Sequence, residues 1–184
     1  MTFNKNIPNV ITMLRILIVP FILYAIFEKY FLVAMLLFAI GALSDFLDGY
    51  IARNFNLVSK FGKYIDPIAD KILILSVLVA LSVIEKSGEF IHMWMVLLIF
   101  TREILITLVR SFLKKRSMDF EAKFLGKAKT MLQVLIIAIS LLLLKYFPES
   151  VYMIEYFMII FVIVTCYSGF RYMDNYIRLL KNES

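Results

Sequence analysis

The stretch FLVAMLLFAIGALSDFLDGYIAR, residues 31–53, indicates how this chain is built. Its first part, residues 31–43, is continuously apolar but rises only about 20 Å as a helix. A helix needs about 20 mostly apolar residues to cross the hydrocarbon core of a bilayer. If this helix crosses, it must therefore continue through Asp45 and Asp48 to Arg53, which places carboxylates partly within the membrane.

The next apolar run has the same property. Residues 72–84 are too few to cross unless the helix begins near Gly62 and includes Asp66 and Asp70. A charged side chain costs roughly 2.5–3.5 kcal/mol at the bilayer centre, and less near an interface. Four carboxylates at the ends of two consecutive helices are too costly to be incidental, so we predict that they have a function.

The composition of the whole chain agrees with a membrane protein. The 184 residues are 62% hydrophobic and 18% charged, whereas soluble domains average about 45–50% apolar and about 25% charged. The apolar residues show no alternation with a period of two, which favours helices over barrel strands. We predict one all-α domain, residues 1–184, an integral membrane bundle of six transmembrane helices. The predicted helices are residues 10–27, 31–53, 62–84, 90–110, 126–144 and 151–172.

The basic residues predict the orientation of this bundle. With the amino terminus inside, all but three of the 20 Lys and Arg fall on or toward the inner side. The three exceptions are Lys29, Lys86 and Lys145. Because cytoplasmic loops of membrane proteins carry an excess of Lys and Arg, we expect a multi-pass protein of the cell membrane. Both termini and the acidic residues then lie on the cytoplasmic side. We expect no nucleic-acid partner.

The acidic residues and nearby small residues fall on one face of each helix, at about 100° per residue. On the second helix these are Asp45, Asp48, Gly49 and Ala52; on the third they are Gly62, Asp66 and Asp70. The short connection at residues 54–61 makes the two helices antiparallel neighbours, so their acidic faces converge. The alternative is that these acids pair with nearby basic residues. Those residues are Arg53, Lys60, Lys63 and Lys71.

Converging carboxylates repel one another unless protons or cations lie between them. A set made only of carboxylates suits Mg²⁺ or Mn²⁺, whereas Zn²⁺ prefers His and Cys. Four carboxylates are enough to hold two divalent ions, an arrangement that stabilises the attacking and leaving oxygens in phosphoryl displacement. We therefore predict a site for two such ions.

The spacing of these residues resembles the signature of the CDP-alcohol phosphatidyltransferase family without departure. It reads Asp45-x2-Asp48-Gly49-x2-Ala52-Arg53-x8-Gly62-x3-Asp66-x3-Asp70. The resemblance implies transfer of a phosphatidyl group from a CDP-linked lipid to a small alcohol, with release of CMP, by a homodimer. It implies metal ligands at Asp45, Asp48, Asp66 and Asp70, and a CDP-lipid site at Gly49, Ala52, Arg53 and Gly62. Asp70 is also the implied general base.

Three further segments resemble the subgroup of this family whose acceptor is glycerol 3-phosphate, with CDP-diacylglycerol as the donor. The first contains Asn9, Thr12 and Arg15, of which we assign Asn9 and Thr12 to the CDP-lipid site. The other two supply the predicted acceptor-phosphate site, made of Arg102, Arg110, Lys127, Lys129 and Thr130. The last three open the predicted fifth helix, where backbone N–H groups favour an anion.

Other interpretations remain open at this stage. Lys127 and Lys129 can reflect topology alone, and Arg102 can form an ion pair with Glu103, although adjacent helix residues face each other poorly. The acceptor can instead be serine, inositol or inositol phosphate. A divalent-cation transporter is an alternative function, but its ion path must continue through the apolar parts of the second and third helices. A scaffold protein would tolerate alanine at all four aspartates.

Overall fold

A computed structural model of the chain describes residues 7–54, 60–84, 90–115 and 123–181. Within these ranges the side chains of residues 11–44, 68–84, 90–109, 129–174 and 176–177 are described. The described residues form six α-helices and one short 3-10 helix, without a strand. The α-helices are α1 (Ile7–Phe27), α2 (Phe31–Asn54), α3 (Lys60–Val83), α4 (Met93–Lys115), α5 (Lys123–Tyr146) and α6 (Met153–Lys181).

A tight turn joins α1 to α2. Lys29 has a φ of 61°, in the left-handed region. The N–H of Tyr30 donates to the carbonyl of Ala25 at 2.8 Å, and that of Lys29 donates to the carbonyl of Ile26 at 3.0 Å. This pair of bonds is the Schellman pattern, which satisfies the last carbonyls of a helix. The two helices therefore return alongside each other and form a hairpin.

The six helices pack as a ring. Helix α1 contacts α2 and α3; α2 also contacts α5, α5 contacts α6, α6 contacts α4, and α4 contacts α3. The ring encloses one large cluster of buried apolar side chains, contributed by all six helices. Ile22, Phe38, Leu81 and Ile137 are among its fully buried members. The ring brings α4 and α6, which are distant from α2 in the chain, to the same interior.

The outer surface of the bundle is also apolar. Leu17 is 62% exposed, Phe21 65%, Phe170 73% and Met131 77%. A soluble monomer rarely exposes large continuous apolar surfaces, so this surface is typical of a protein that contacts lipid. Among the described residues, two segments are long and apolar enough to cross a membrane. They are Lys129–Tyr146 and Met153–Asp174, and shorter apolar segments are Ile11–Phe27 and Phe31–Ser44.

The predicted all-α class is confirmed, and each predicted helix has a counterpart in the structure. The predicted bounds are wrong mainly at the basic ends of three helices. Helix α4 ends at Lys115 rather than residue 110, α5 begins at Lys123 rather than residue 126, and α6 ends at Lys181 rather than residue 172. Hydropathy detects where apolar residues stop, but Lys and Arg are good helix formers and extend the helices into water.

Candidate active site

The acidic residues of the motif lie on the two helices that the sequence predicts. Asp45 and Asp48 are on the last turns of α2, and Asp66 and Asp70 are on the first turns of α3. Only the side chain of Asp70 is among those described, and it is half-buried. The predicted side-chain contacts of the other three aspartates, and of Gly49, Ala52, Arg53 and Gly62, lie outside the described residues.

The four aspartate positions form two pairs, and the members of each pair lie at similar distances from the joined ends of α2 and α3. At 1.5 Å per residue, Asp48 lies about 9 Å from the end of α2 and Asp66 about 9 Å from the start of α3. Asp45 and Asp70 lie about 14 Å and about 15 Å from the same ends. Because the short segment 55–59 joins the two helices, their carboxylate positions lie at one end of the bundle, which we call the motif end.

A side-chain contact between α2 and α3 lies close to these positions. A Cβ atom added to Gly41 would lie 3.1 Å from Cδ2 of the buried Leu73 and 3.4 Å from its Cδ1. Gly41 is one turn beyond Asp45, and Leu73 is nearly one turn beyond Asp70. Both therefore lie about 20 Å from the joined helix ends. The missing side chain at Gly41 makes room for the Leu73 side chain, beside the positions that carry the carboxylates.

A second polar cluster lies on α3, α4 and α5, next to Asp70. The Glu103 carboxylate on α4 forms ion pairs with Lys129 of α5 and, at 3.1 Å, with NH1 of Arg102. The side chains of Arg102 and Glu103 are each 14% exposed and that of Lys129 only 6%. Lys129 also lies within electrostatic range of Lys71 and Asp70. The structure thus brings two predicted phosphate-binding cations together near the predicted base.

Lys71 connects α3 to α4. Its amino group donates to the backbone carbonyl of Glu103 at 3.2 Å and to the hydroxyl of Thr107. The Thr107 hydroxyl in turn donates to the same carbonyl at 2.7 Å. Since Lys71 follows Asp70 in the chain, these bonds fix the helix that carries Asp70 against the helix that carries Arg102.

One prediction about the cationic residues is wrong. Lys127, Lys129 and Thr130 do not open α5, because α5 begins at Lys123 and only the first four N–H groups of a helix lack helical partners. A site made of free backbone N–H groups therefore does not include them, and the buried Lys129 acts through its side chain. Arg102 does pair with the adjacent Glu103, because its long side chain reaches around the helix.

The other residues predicted to bind the CDP-lipid or the acceptor phosphate lie on α1, α4 and α5. Thr12 is buried on α1, and Thr130 is half-buried on α5. The side chains of Asn9, Arg110 and Lys127 lie outside the described ones. Arg15, one turn beyond Thr12, is only 1% exposed. The motif end of α1 thus contributes buried polar side chains to the bundle interior.

Sequence reasoning missed one helix of the site entirely. NH2 of Arg102 lies 2.9 Å from Oγ of Ser168 on α6, and Gly169 lies against the same arginine. Small residues allow helices in membranes to approach closely. The Ser-Gly pair within an otherwise bulky apolar helix was therefore the available signal.

Comparison with known proteins matches most of the bundle to one family. The model of the CDP-alcohol phosphatidyltransferase family matches residues 5–167. A Rickettsia felis protein named CDP-diacylglycerol–glycerol-3-phosphate 3-phosphatidyltransferase is 39% identical over 77% of this chain and 78% of its own length. Proteins of the same name from Rickettsia bellii and Bacillus subtilis are 35% and 32% identical. They cover 96% and 97% of this chain, and 99% of their own lengths.

Proposed function

This chain belongs to the CDP-alcohol phosphatidyltransferase family, and we propose that it makes phosphatidylglycerophosphate. It transfers the phosphatidyl group of CDP-diacylglycerol to the hydroxyl of sn-glycerol 3-phosphate and releases CMP. The observation that carries this assignment is the 32–39% identity to relatives named for that reaction, two of which match over nearly their full length. It is an enzyme of phospholipid biosynthesis in a membrane.

The donor set of the motif fits hard divalent cations. Asp45, Asp48, Asp66 and Asp70 supply only carboxylate oxygens, the ligands that Mg²⁺ and Mn²⁺ prefer. The close approach at Gly41 and Leu73 supports their convergence, because it aligns α2 and α3 beside the aspartate positions. We propose that these four residues hold two ions. When bound, the ions neutralise the diphosphate and favour the departure of CMP.

The side chains of the chain itself carry the remaining roles. Asp70 takes the proton of the acceptor hydroxyl. The acceptor oxygen then bonds to the lipid-side phosphorus, and the bond from that phosphorus to the CMP oxygen breaks. This step balances without a covalent enzyme intermediate. The sequence agrees, since no Ser/His or Cys/His pair that could supply a nucleophile is found near the motif. Trapping of a phosphatidyl–enzyme adduct would contradict this direct displacement.

The cations of α4 and α5 suit a phosphate-bearing acceptor. Arg102 and Lys129 share one carboxylate, so these three side chains supply two basic groups against one acidic group. A guanidinium and an ammonium both bind phosphate well. We assign Arg102, Arg110, Lys127, Lys129 and Thr130 to the acceptor phosphate. We assign Asn9, Thr12, Gly49, Ala52, Arg53 and Gly62 to the CDP-lipid.

The proposed arrangement in the membrane is a bundle of six spans with both termini and the active site on the cytoplasmic side. The exposed apolar side chains of the helices and the unequal distribution of Lys and Arg support it. We also propose a homodimer, for which the support is the family resemblance.

The decisive experiment compares acceptor alcohols side by side. Purified protein in detergent receives CDP-diacylglycerol, Mg²⁺ and one acceptor at a time, and CMP release is measured. The acceptors are glycerol 3-phosphate, serine, inositol and inositol phosphate. We expect release with glycerol 3-phosphate, loss of release with EDTA, and recovery when Mg²⁺ or Mn²⁺ is added in excess.

Two other outcomes would change the assignment. CMP release with serine or inositol alone would support the family chemistry but contradict glycerol 3-phosphate as the acceptor. Metal-dependent flux in liposomes without CMP release would favour the cation transporter.

A further inference from the structure

Helix α6 contacts the same Arg102 side chain that bonds Glu103. NH2 of Arg102 donates to the Ser168 hydroxyl at 2.9 Å. A Cβ atom added to the neighbouring Gly169 would lie 3.3 Å from Cγ and 3.4 Å from Nε of the arginine. The absence of a side chain at Gly169 therefore makes the space that the Arg102 side chain occupies.

These contacts fix the orientation of the guanidinium. NH1 bonds Glu103 at 3.1 Å while NH2 bonds Ser168, so two nitrogens of one rigid planar group are held by two different helices. Ser168 is 8% exposed and Gly169 is also buried, so water competes little for these bonds. A planar fork held in this way has little rotational freedom left.

The Ser168 hydroxyl, which Arg102 bonds on α6, is neutral, and this affects the total charge around the arginine. A second carboxylate at residue 168 would cancel the positive charge that Glu103 leaves on Arg102 and Lys129. A hydroxyl orients the guanidinium and adds no negative charge to the cluster. An arginine that is already oriented loses less conformational entropy when it binds a phosphate, which strengthens binding.

We propose that Ser168 and Gly169 are positioning residues, which hold Arg102 in the orientation that binds the phosphate of the acceptor. This inference rests on the proposed function, because it deepens the role of Arg102 in that reaction. It adds α6 to a site that the sequence assigns to helices α1–α5.

The first test is Ser168→Ala, with Ser140→Ala as the matched control. Ser140 is also buried, but its hydroxyl bonds only the carbonyl of Ile136 in its own helix, at 2.8 Å, among the contacts described. We expect Ser168→Ala to raise the KM for glycerol 3-phosphate about tenfold, since a hydrogen bond to a charged group is lost. The KM for CDP-diacylglycerol should change less than twofold. Ser140→Ala should leave both KM values near those of the wild type.

A second variant and a second readout separate positioning from folding. Ser168→Thr keeps the hydroxyl and should restore most of the affinity for glycerol 3-phosphate, while Gly169→Ala should weaken it by displacing Arg102. The rise in Tm caused by inorganic phosphate reports binding without turnover. It should be smaller in Ser168→Ala and Gly169→Ala than in the wild type or Ser140→Ala.

The outcomes distinguish this inference from the proposed function. An active wild type whose KM for glycerol 3-phosphate and phosphate-dependent Tm are both unchanged by Ser168→Ala and Gly169→Ala would overturn the inference alone. An equal loss of affinity for both substrates would also overturn it, since that pattern indicates general damage to the bundle. A wild type that releases no CMP with glycerol 3-phosphate would instead overturn the proposed function.

Discussion

The two ends of the bundle are built in opposite ways. Near the α1–α2 turn, at what we call the hairpin end, the interior is filled with side chains such as Ile22, Phe38 and Leu81, each at most 1% exposed. At the motif end the interior contains Arg15 and Lys129, which are almost as deeply buried. Charges in such surroundings are costly unless they are paired or functional. The hairpin end therefore supplies stability, and the motif end carries the groups to which we assign the chemistry.

The largest effect that we expect is a loss of turnover when a catalytic group at the motif end is changed. Asp70→Asn keeps the shape of the side chain but removes the proton acceptor, so we expect kcat to fall about a thousandfold. The Tm should stay near that of the wild type. Glu149→Gln, the same chemical change at an exposed position, is the control for CMP release. Substantial residual activity in Asp70→Asn would remove Asp70 from the role of base.

The next largest effect is on stability at the hairpin end. Phe38 is 1% exposed in the core, so Phe38→Ala leaves a cavity and should lower the free energy of unfolding by about 3–5 kcal/mol. Leu17→Ala removes a side chain that is 62% exposed and should change stability little. Thermal unfolding in detergent measures both, and the KM for glycerol 3-phosphate in Phe38→Ala should be unchanged. Equal Tm values for the two variants would contradict the core assignment.

A smaller loss of stability is expected from the ion pairs at the motif end. Glu103→Gln removes the carboxylate that Arg102 and Lys129 share. We expect a loss of about 2 kcal/mol in the free energy of unfolding, because two partly desolvated cations then repel each other. Adding Lys129→Met should recover part of that stability. If Glu103→Gln is as stable as the wild type, the ion pairs do not stabilise the fold; if the double variant is no more stable than Glu103→Gln, repulsion between the cations is not the cause of the loss.

The sequence predicted the apolar part of this fold well and the polar contacts poorly. Long runs of Leu, Ile, Phe and Val locate helices because burial and lipid exposure both favour them. The aspartate spacing is also visible in the sequence, because acidic residues that share one face of a helix are rare within apolar segments. In contrast, Arg102 and Ser168 are 66 residues apart, and no local pattern encodes their contact. The pair of Arg102 with Glu103 was underestimated because side-chain length, rather than helical angle, decides it.

The smallest expected effect concerns the spacing of α2 and α3. Gly41→Ala places a Cβ 3.1 Å from Cδ2 of Leu73, so the buried Leu73 side chain must shift by a few tenths of an ångström. Misplacement of catalytic groups reduces turnover steeply, and we expect roughly a fivefold fall in kcat. The Mg²⁺ concentration that gives half-maximal CMP release should also rise. Gly169→Ala, the same substitution against Arg102, should leave the Mg²⁺ dependence unchanged.

The Gly41–Leu73 contact has a consequence for the choice of metal. Divalent ions differ in radius, and the ion that fits best depends on how far apart the oxygens of facing ligands stand. If the four aspartates hold metal ions as we propose, the packing of residues 41 and 73, about one turn away, contributes to that gap. Variants that change the bulk of residue 41 or 73 and retain every aspartate should then shift the preference between magnesium and the larger manganese ion.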